Sequence, residues 1–171
     1  MTLVLGGARS GKSAYAESLV TAHGGAPLYL ATAEAGDGEM ERRIALHQER
    51  RGPAWRTIEA PVDLGAALGR VPEGAPVLVD CLTLWLSNLM LAGREIDAEV
   101  DGLCAALANP SGPVVLVANE VGFGIVPDNA LARAFRDHAG RLNQRVAALA
   151  DRVVLVVAGL PLVVKSPTET P

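Results

Sequence analysis

Short apolar runs alternate along the chain with longer segments of helical periodicity. The runs at 3–5, 27–31, 77–79, 114–118 and 153–157 are rich in Val, Leu and Ile. Runs of this kind are strands covered on both faces, which predicts an α/β protein with a mostly parallel central sheet flanked by helices. The segments at 12–22, 38–51, 62–69, 82–92, 97–108 and 130–150 read as helices. The last has a clear start, because Asp128 or Asn129 can cap it and apolar residues recur every three or four positions. Gly159-Leu160-Pro161 can turn the last strand into an antiparallel C-terminal hairpin. Residues 1–165 read as one domain and 166–171, SPTETP, as a loose tail. No internal repeat or linker is visible.

Composition changes this picture little. A chain of 171 residues suits one sizeable core. The net charge of -4 gives no overall attraction for nucleic acid or anionic lipid. The longest apolar stretch, 153–164, contains Gly159 and Pro161 and is too short to span a bilayer. Gly6 interrupts the only early apolar run, so no signal peptide is expected. Cys81 and Cys104 have neither disulfide nor metal spacing, and a reduced cytoplasmic setting is expected. Thirteen of the fifteen basic residues are arginines, yet one of the two lysines, Lys12, stands in a glycine loop.

That loop, GGARSGKS, comprises Gly6, Gly7, Ala8, Arg9, Ser10, Gly11, Lys12 and Ser13. It fits G-x-x-x-x-G-K-[ST] and lies between a strand and a helix. Glycines let the backbone curl so that its N–H groups face phosphate oxygens, and the following helix adds its positive end. Lys12 reaches the β- and γ-phosphates, and Ser13 offers a hydroxyl to Mg²⁺. A nucleoside triphosphate is therefore the expected ligand.

Asp80 ends another core strand in "PVLVDCLTLWLSN" and is the candidate metal carboxylate. The alternative is an N-cap for the helix that begins at Leu82. Asn119 and Glu120 end the next strand, where ligands of open α/β sheets bind, and Gly122 and Gly124 suggest a bend there. A simple loop is the competing reading.

"EMERRIALHQERRGPAWRTIEAP" carries His47. On a helix Arg43, His47 and Arg51 share a face, with Arg50 close by. Neighbouring guanidiniums keep an imidazole neutral and hence nucleophilic, and they suit a second anion. The competing reading is a solvated face beside Glu39, Glu41 and Glu49. His23 and His138 read as surface residues. Arg133, Arg136, Arg141 and Arg145 line the longest helix, as a solvated face or as contacts to phosphate or a neighbouring subunit.

Taken together, "GGARSGKS", "LYLATAEAGDGEMERRIALHQERR" with its following W-R-T-I-E, "LVDCLTLWLSNL" and "VANEVGFGIVPDNALARAFRDHAGRLNQRVAALADRVVLVVAGLPLVVK" resemble the bifunctional adenosylcobinamide kinase/adenosylcobinamide-phosphate guanylyltransferases of cobalamin biosynthesis. The resemblance covers residues 2–165. It implies a P-loop NTPase of RecA-like fold and two reactions. ATP or GTP phosphorylates the aminopropanol hydroxyl of adenosylcobinamide. GTP then guanylates a histidine, and the phosphorylated substrate takes the GMP to give adenosylcobinamide-GDP. The resemblance makes His47 the guanylylated residue. It places Gly6 to Ser13 on phosphates, with Ser13 and Asp80 on Mg²⁺. Nucleotide contacts fall on Ala31, Thr32, Ala33, Gln48, Glu49, Arg50, Arg51, Glu59 and Asp80. It further implies a homo-oligomer, a trimer. Two departures stand out: Gly52 follows Arg51 where the family usually has proline, and relatives can carry Glu at position 80. The shorter Asp80 leaves room for a water before the metal.

The glycine loop serves the kinase triphosphate, yet His47 must reach an α-phosphate. Either a nucleotide binds in two poses or the 38–51 helix moves. Gly36, Gly38 and Gly52 flank that helix and favour movement. The competing functions are a P-loop kinase of another small molecule without guanylyl transfer, and a regulatory GTPase-like module. No N-K-x-D guanine-reading segment supports the latter.

Overall fold

The computed structural model describes residues 1–34, 38, 45 and 48–167. Within them seven strands form one sheet: β1 Thr2–Gly6, β2 Leu28–Ala31, β3 Arg56–Glu59, β4 Val77–Asp80, β5 Val114–Asn119, β6 Arg152–Val157 and β7 Leu160–Lys165. Their spatial order is β3-β2-β4-β5-β1-β6-β7. All pairings are parallel except β6–β7, the antiparallel hairpin expected at the C-terminus. The helices are α1 Lys12–Thr21, α2 Leu64–Leu68, α3 Leu82–Leu91, α4 Ile96–Ala108 and α5 Ala130–Leu149. Residues 38, 45 and 48–51 are also helical. The arrangement is that of a P-loop NTPase-like α/β fold.

The sequence expectation misses β3. An edge strand need not be apolar throughout, and here only Ile58 is half-buried while Arg56, Thr57 and Glu59 are exposed. The cap of α3 also differs from the alternative considered for Asp80, because Cys81 occupies the N-cap position. On α5, Asn129 rather than Asp128 is the cap, its Oδ1 accepting from Ala132 N at 2.7 Å. Arg133 belongs to the same start, its Nη1 donating to the carbonyls of Pro127 and Asp128 at 2.9 and 2.7 Å.

Strand residues alternate between two cores, as the pleat requires. Leu3, Leu30, Val79, Leu116 and Val153 face a core completed by α2, α3, α4 and α5. Val4, Tyr29, Leu78, Val115 and Val154 face a smaller one completed by Ala16 and Val20 of α1, with Trp55 and Leu84 at its margin. Trp85 is the largest buried side chain, and its Nε1 donates to Val62 O at 2.6 Å. At the far edge β7 leaves Leu160, Leu162 and Val164 exposed. No helix among the described residues is long and apolar enough to cross a membrane.

Candidate active site

The parallel strands end on one side of the sheet, and the glycine loop leaves β1 there. Gly6 is required by space: a Cβ would lie 2.4 Å from Ser10 Oγ and 2.7 Å from Val156 O. Gly11 is required by conformation, with φ +93°, and by Gly159 Cα at 3.2 Å from where its Cβ would sit. Arg9 also adopts positive φ, 56°. Gly159 N donates to Ser10 O at 2.8 Å, so the β6–β7 turn braces the loop. Gly11 caps α1 with no side-chain acceptor, which leaves the first N–H groups of the helix to the loop. Lys12 Nζ donates to Gly7 O at 3.3 Å.

A cavity of about 570 Å³ opens above these strand ends. Ala8, Lys12 and Ser13 line it from the loop, and Ala31, Ala33 and Glu34 from the exit of β2. Glu59 closes β3 against it, Asp80 and Cys81 enter from β4, and Asn119 from β5. Gln48 and Arg51 reach it from the helical turn 48–51. The register explains the convergence, since Ala31 pairs with both Glu59 and Asp80, and Gly6 with Asn119.

Thr32 and Arg50 have structural partners instead of cavity-lining positions, and Arg51 has such partners while it lines the cavity. Thr32 is fully buried; its hydroxyl donates to Cys81 O at 2.8 Å and accepts from Cys81 N at 2.7 Å. Asn88 Nδ2 donates to Thr32 O at 2.8 Å, so this residue fastens the ends of β2 and β4. Arg50 grips Glu17 of α1 through Nε and Nη2, both at 2.7 Å. Glu49 is exposed. Arg51 lies with Nη1 3.9 Å from Glu17 Oε1 and its Cζ 3.4 Å above the Tyr29 ring. His47 and Arg43 lie outside the described residues.

Glu17, Tyr29, Glu34 and Cys81 are site neighbours that sequence reasoning passed over. Burial, reinforced by the Asp80 carboxylate, raises the Tyr29 hydroxyl far above its usual range. The same two causes push the Cys81 thiol up to about 11, so it is a protonated wall of the cavity and not a nucleophile at neutral pH. Tyr29 is thus a neutral aromatic plate under Arg51, with Trp55 edge-on at 6.4 Å.

The oxygen donors Ser13 and Asp80 share this cavity, and they fit a magnesium ion, which takes few protein oxygens and completes its shell with phosphate and water. No group of three or more His, Cys, Asp or Glu suited to a metal occurs among the described residues. That also fits an ion held chiefly by a bound polyphosphate. Cationic loop and helix end on one wall, carboxylates on the other, and a guanidinium above suit a nucleoside triphosphate.

Comparison with known proteins agrees. Residues 2–164 match the family described as cobinamide kinase / cobinamide phosphate guanyltransferase. The bifunctional adenosylcobalamin biosynthesis protein CobP of Pseudomonas aeruginosa is 50% identical, covering 95% of this chain and 96% of its own. The bifunctional adenosylcobalamin biosynthesis protein CobU of Salmonella typhimurium is 45% identical, covering 96% and 99%. Its namesake in Escherichia coli is 41% identical, with the same coverage.

Proposed function

The chain belongs to the cobinamide kinase / cobinamide phosphate guanyltransferase family, an enzyme of that bifunctional class, and we propose that one cavity serves both of its reactions. The observation that carries this reading is the convergence of Lys12, Ser13 and Asp80 with Arg51 and with Gln48, which follows His47 directly in the chain. In the kinase step the loop amides and Lys12 hold the triphosphate of ATP or GTP and neutralise charge as the γ-phosphoryl group moves to the aminopropanol hydroxyl of adenosylcobinamide. Ser13 and Asp80 hold Mg²⁺, which offsets negative charge on the phosphates when bound.

In the transferase step a nitrogen of His47 bonds to the α-phosphorus of GTP, the bond to the α–β bridging oxygen breaks, and pyrophosphate leaves. A phosphate oxygen of adenosylcobinamide phosphate then attacks the same phosphorus. The P–N bond breaks, the imidazole recovers its electron pair, and adenosylcobinamide-GDP departs. Arg51, stacked on Tyr29, is placed to meet the guanine nucleotide from above, along with Gln48. The turn 48–51 carries His47 towards the α-phosphate when it shifts. The chain works in the cytoplasm as a homo-oligomer, a trimer, and the exposed apolar strand β7 supports such self-association.

The test is GTP labelled at the α-phosphate, incubated with Mg²⁺ and the protein, followed by denaturation. Acid-labile, alkali-stable label is expected on the chain and absent from His47→Ala. Label absent from intact, GTP-binding wild-type protein would remove His47 from the mechanism and leave a kinase alone. Lys12→Ala should lower cobinamide phosphorylation by about 10²-fold or more, the scale on which removing one charge-stabilising group acts.

A further inference from the structure

We propose that Asn119 positions the acceptor hydroxyl in the phosphoryl-transfer step; the proposal deepens the kinase reading above and rests on it. In the sheet β5 lies between β4, which ends in Asp80, and β1, which runs into the glycine loop. Asn119 pairs with Gly6, so the residue stands between the phosphate-holding loop and the metal-suited carboxylate. It lines the same cavity as Lys12, Ser13 and Asp80. Its Oδ1 is buried and has no hydrogen-bond partner among the described residues. A buried carbonyl oxygen without a donor is costly in a fold, and a ligand donor removes that cost.

The backbone of the same residue is fixed on both sides. Its N–H donates to Thr83 Oγ1 at 2.6 Å, and its carbonyl accepts from Asn143 Nδ2 at 3.5 Å. Thr83 and Asn143 are both buried. A residue whose backbone is fixed and whose side-chain oxygen has no donor among the described residues is suited to orient a ligand.

The chemistry selects a hydroxyl. Loop amides and Lys12 are donors only, and they already suit the phosphate oxygens. An attacking alcohol needs an acceptor for its O–H so that a lone pair faces the γ-phosphorus. An amide oxygen accepts that bond without placing another negative charge beside the triphosphate, as a carboxylate would. Rotation about the Cβ–Cγ bond turns this buried oxygen toward the cavity that the residue lines. In the step itself the alcohol oxygen bonds to the γ-phosphorus, and the bond from phosphorus to the β–γ bridging oxygen breaks. The nucleoside diphosphate takes that electron pair, and the hydroxyl proton passes to solvent. Asn119 holds the alcohol until the new bond has formed and exchanges no proton.

The experiment compares wild type with Asn119→Ala and Asn119→Leu, using cobinamide and labelled ATP or GTP. Truncation leaves the bonds from Thr83 and Asn143 in place, because both go to the backbone. If one variant fails to fold by its unfolding curve, the other supplies the result. The kcat of cobinamide phosphorylation is expected to fall about 10- to 100-fold with nucleotide Kd changed less than about threefold. The fraction of cleaved nucleotide that ends on cobinamide rather than as inorganic phosphate should fall with it. A Kd that weakens in parallel with kcat, at constant partition, overturns the proposal and makes Asn119 a phosphate ligand. Unchanged phosphorylation also overturns it. A wild-type chain inactive on cobinamide overturns the kinase reading itself, and this proposal with it.

Discussion

On one face of the sheet four helices bury Trp85, Leu86, Leu103 and Leu142 against strand residues that are almost wholly inaccessible. On the other, α1 is the one long helix among the described residues, and further cover comes from Trp55 and the turn 48–51. That turn is held by Arg50 and Arg51 on Glu17 and by the stack of Arg51 on Tyr29. The first face is fastened by non-directional burial, which no small anion displaces. On the second, beside its smaller apolar core, the turn 48–51 is fastened by guanidinium contacts, for which a phosphate competes. The proposed movement of the 48–51 turn falls on the side where charged contacts hold it.

The largest expected break in this contrast comes from the four-helix side. Trp85→Ala removes a fully buried indole and its hydrogen bond to Val62 O, and should cost about 3–5 kcal/mol in urea unfolding. A loss under about 1 kcal/mol would mean that this face is not one continuous core. On the charge-held side, Glu17→Gln should cost about 1–2 kcal/mol, since Arg50 is 44% exposed and water replaces part of the lost attraction. It should also raise amide hydrogen exchange at 48–51 while leaving 82–91 unchanged. Equal exchange in both variants would show that the pair does not hold the turn.

The smallest effect serves as a reference on neither face. The Met1 ammonium pairs with Asp151 and holds its carboxyl below its ordinary value of 3.8. A carboxylate with a depressed folded pKa adds stability above its unfolded pKa and loses it as pH falls through the lower folded value. Asp151 is 67% exposed, so Asp151→Asn should cost only about 0.2–0.5 kcal/mol near pH 6. The difference from wild type should shrink to nothing as the pH falls through the lowered folded value, measured by thermal unfolding across the acid range.

Much of this architecture is legible in the sequence because strands buried on both faces appear as unbroken Val and Leu runs. β3 escapes that logic: an edge strand with Arg56, Thr57 and Glu59 exposed has no such run to show. The phosphate loop and Asp80 are legible because their chemistry fixes residue type and spacing together. The partner of Arg50 is not, because Glu17 lies 33 residues away and sits on α1 among residues that look solvated. Tyr29 and Cys81 hide for a different reason. Tyr29 lies inside the 27–31 run and Cys81 just beyond Asp80, and only the fold reveals that both line the cavity.

The brace between Gly159 and the glycine loop has a consequence for biosynthesis. β1 emerges first from the ribosome, yet its two sheet neighbours are β5 and β6, made more than a hundred residues later. The turn that supports Ser10 and packs on Gly11 follows β6. A nascent chain therefore holds its glycine loop without these neighbours until β5, β6 and the turn after β6 have been translated. Such distant pairings fold slowly. A stalled or prematurely ended chain would carry the full GGARSGKS sequence without the strands and turn that shape it.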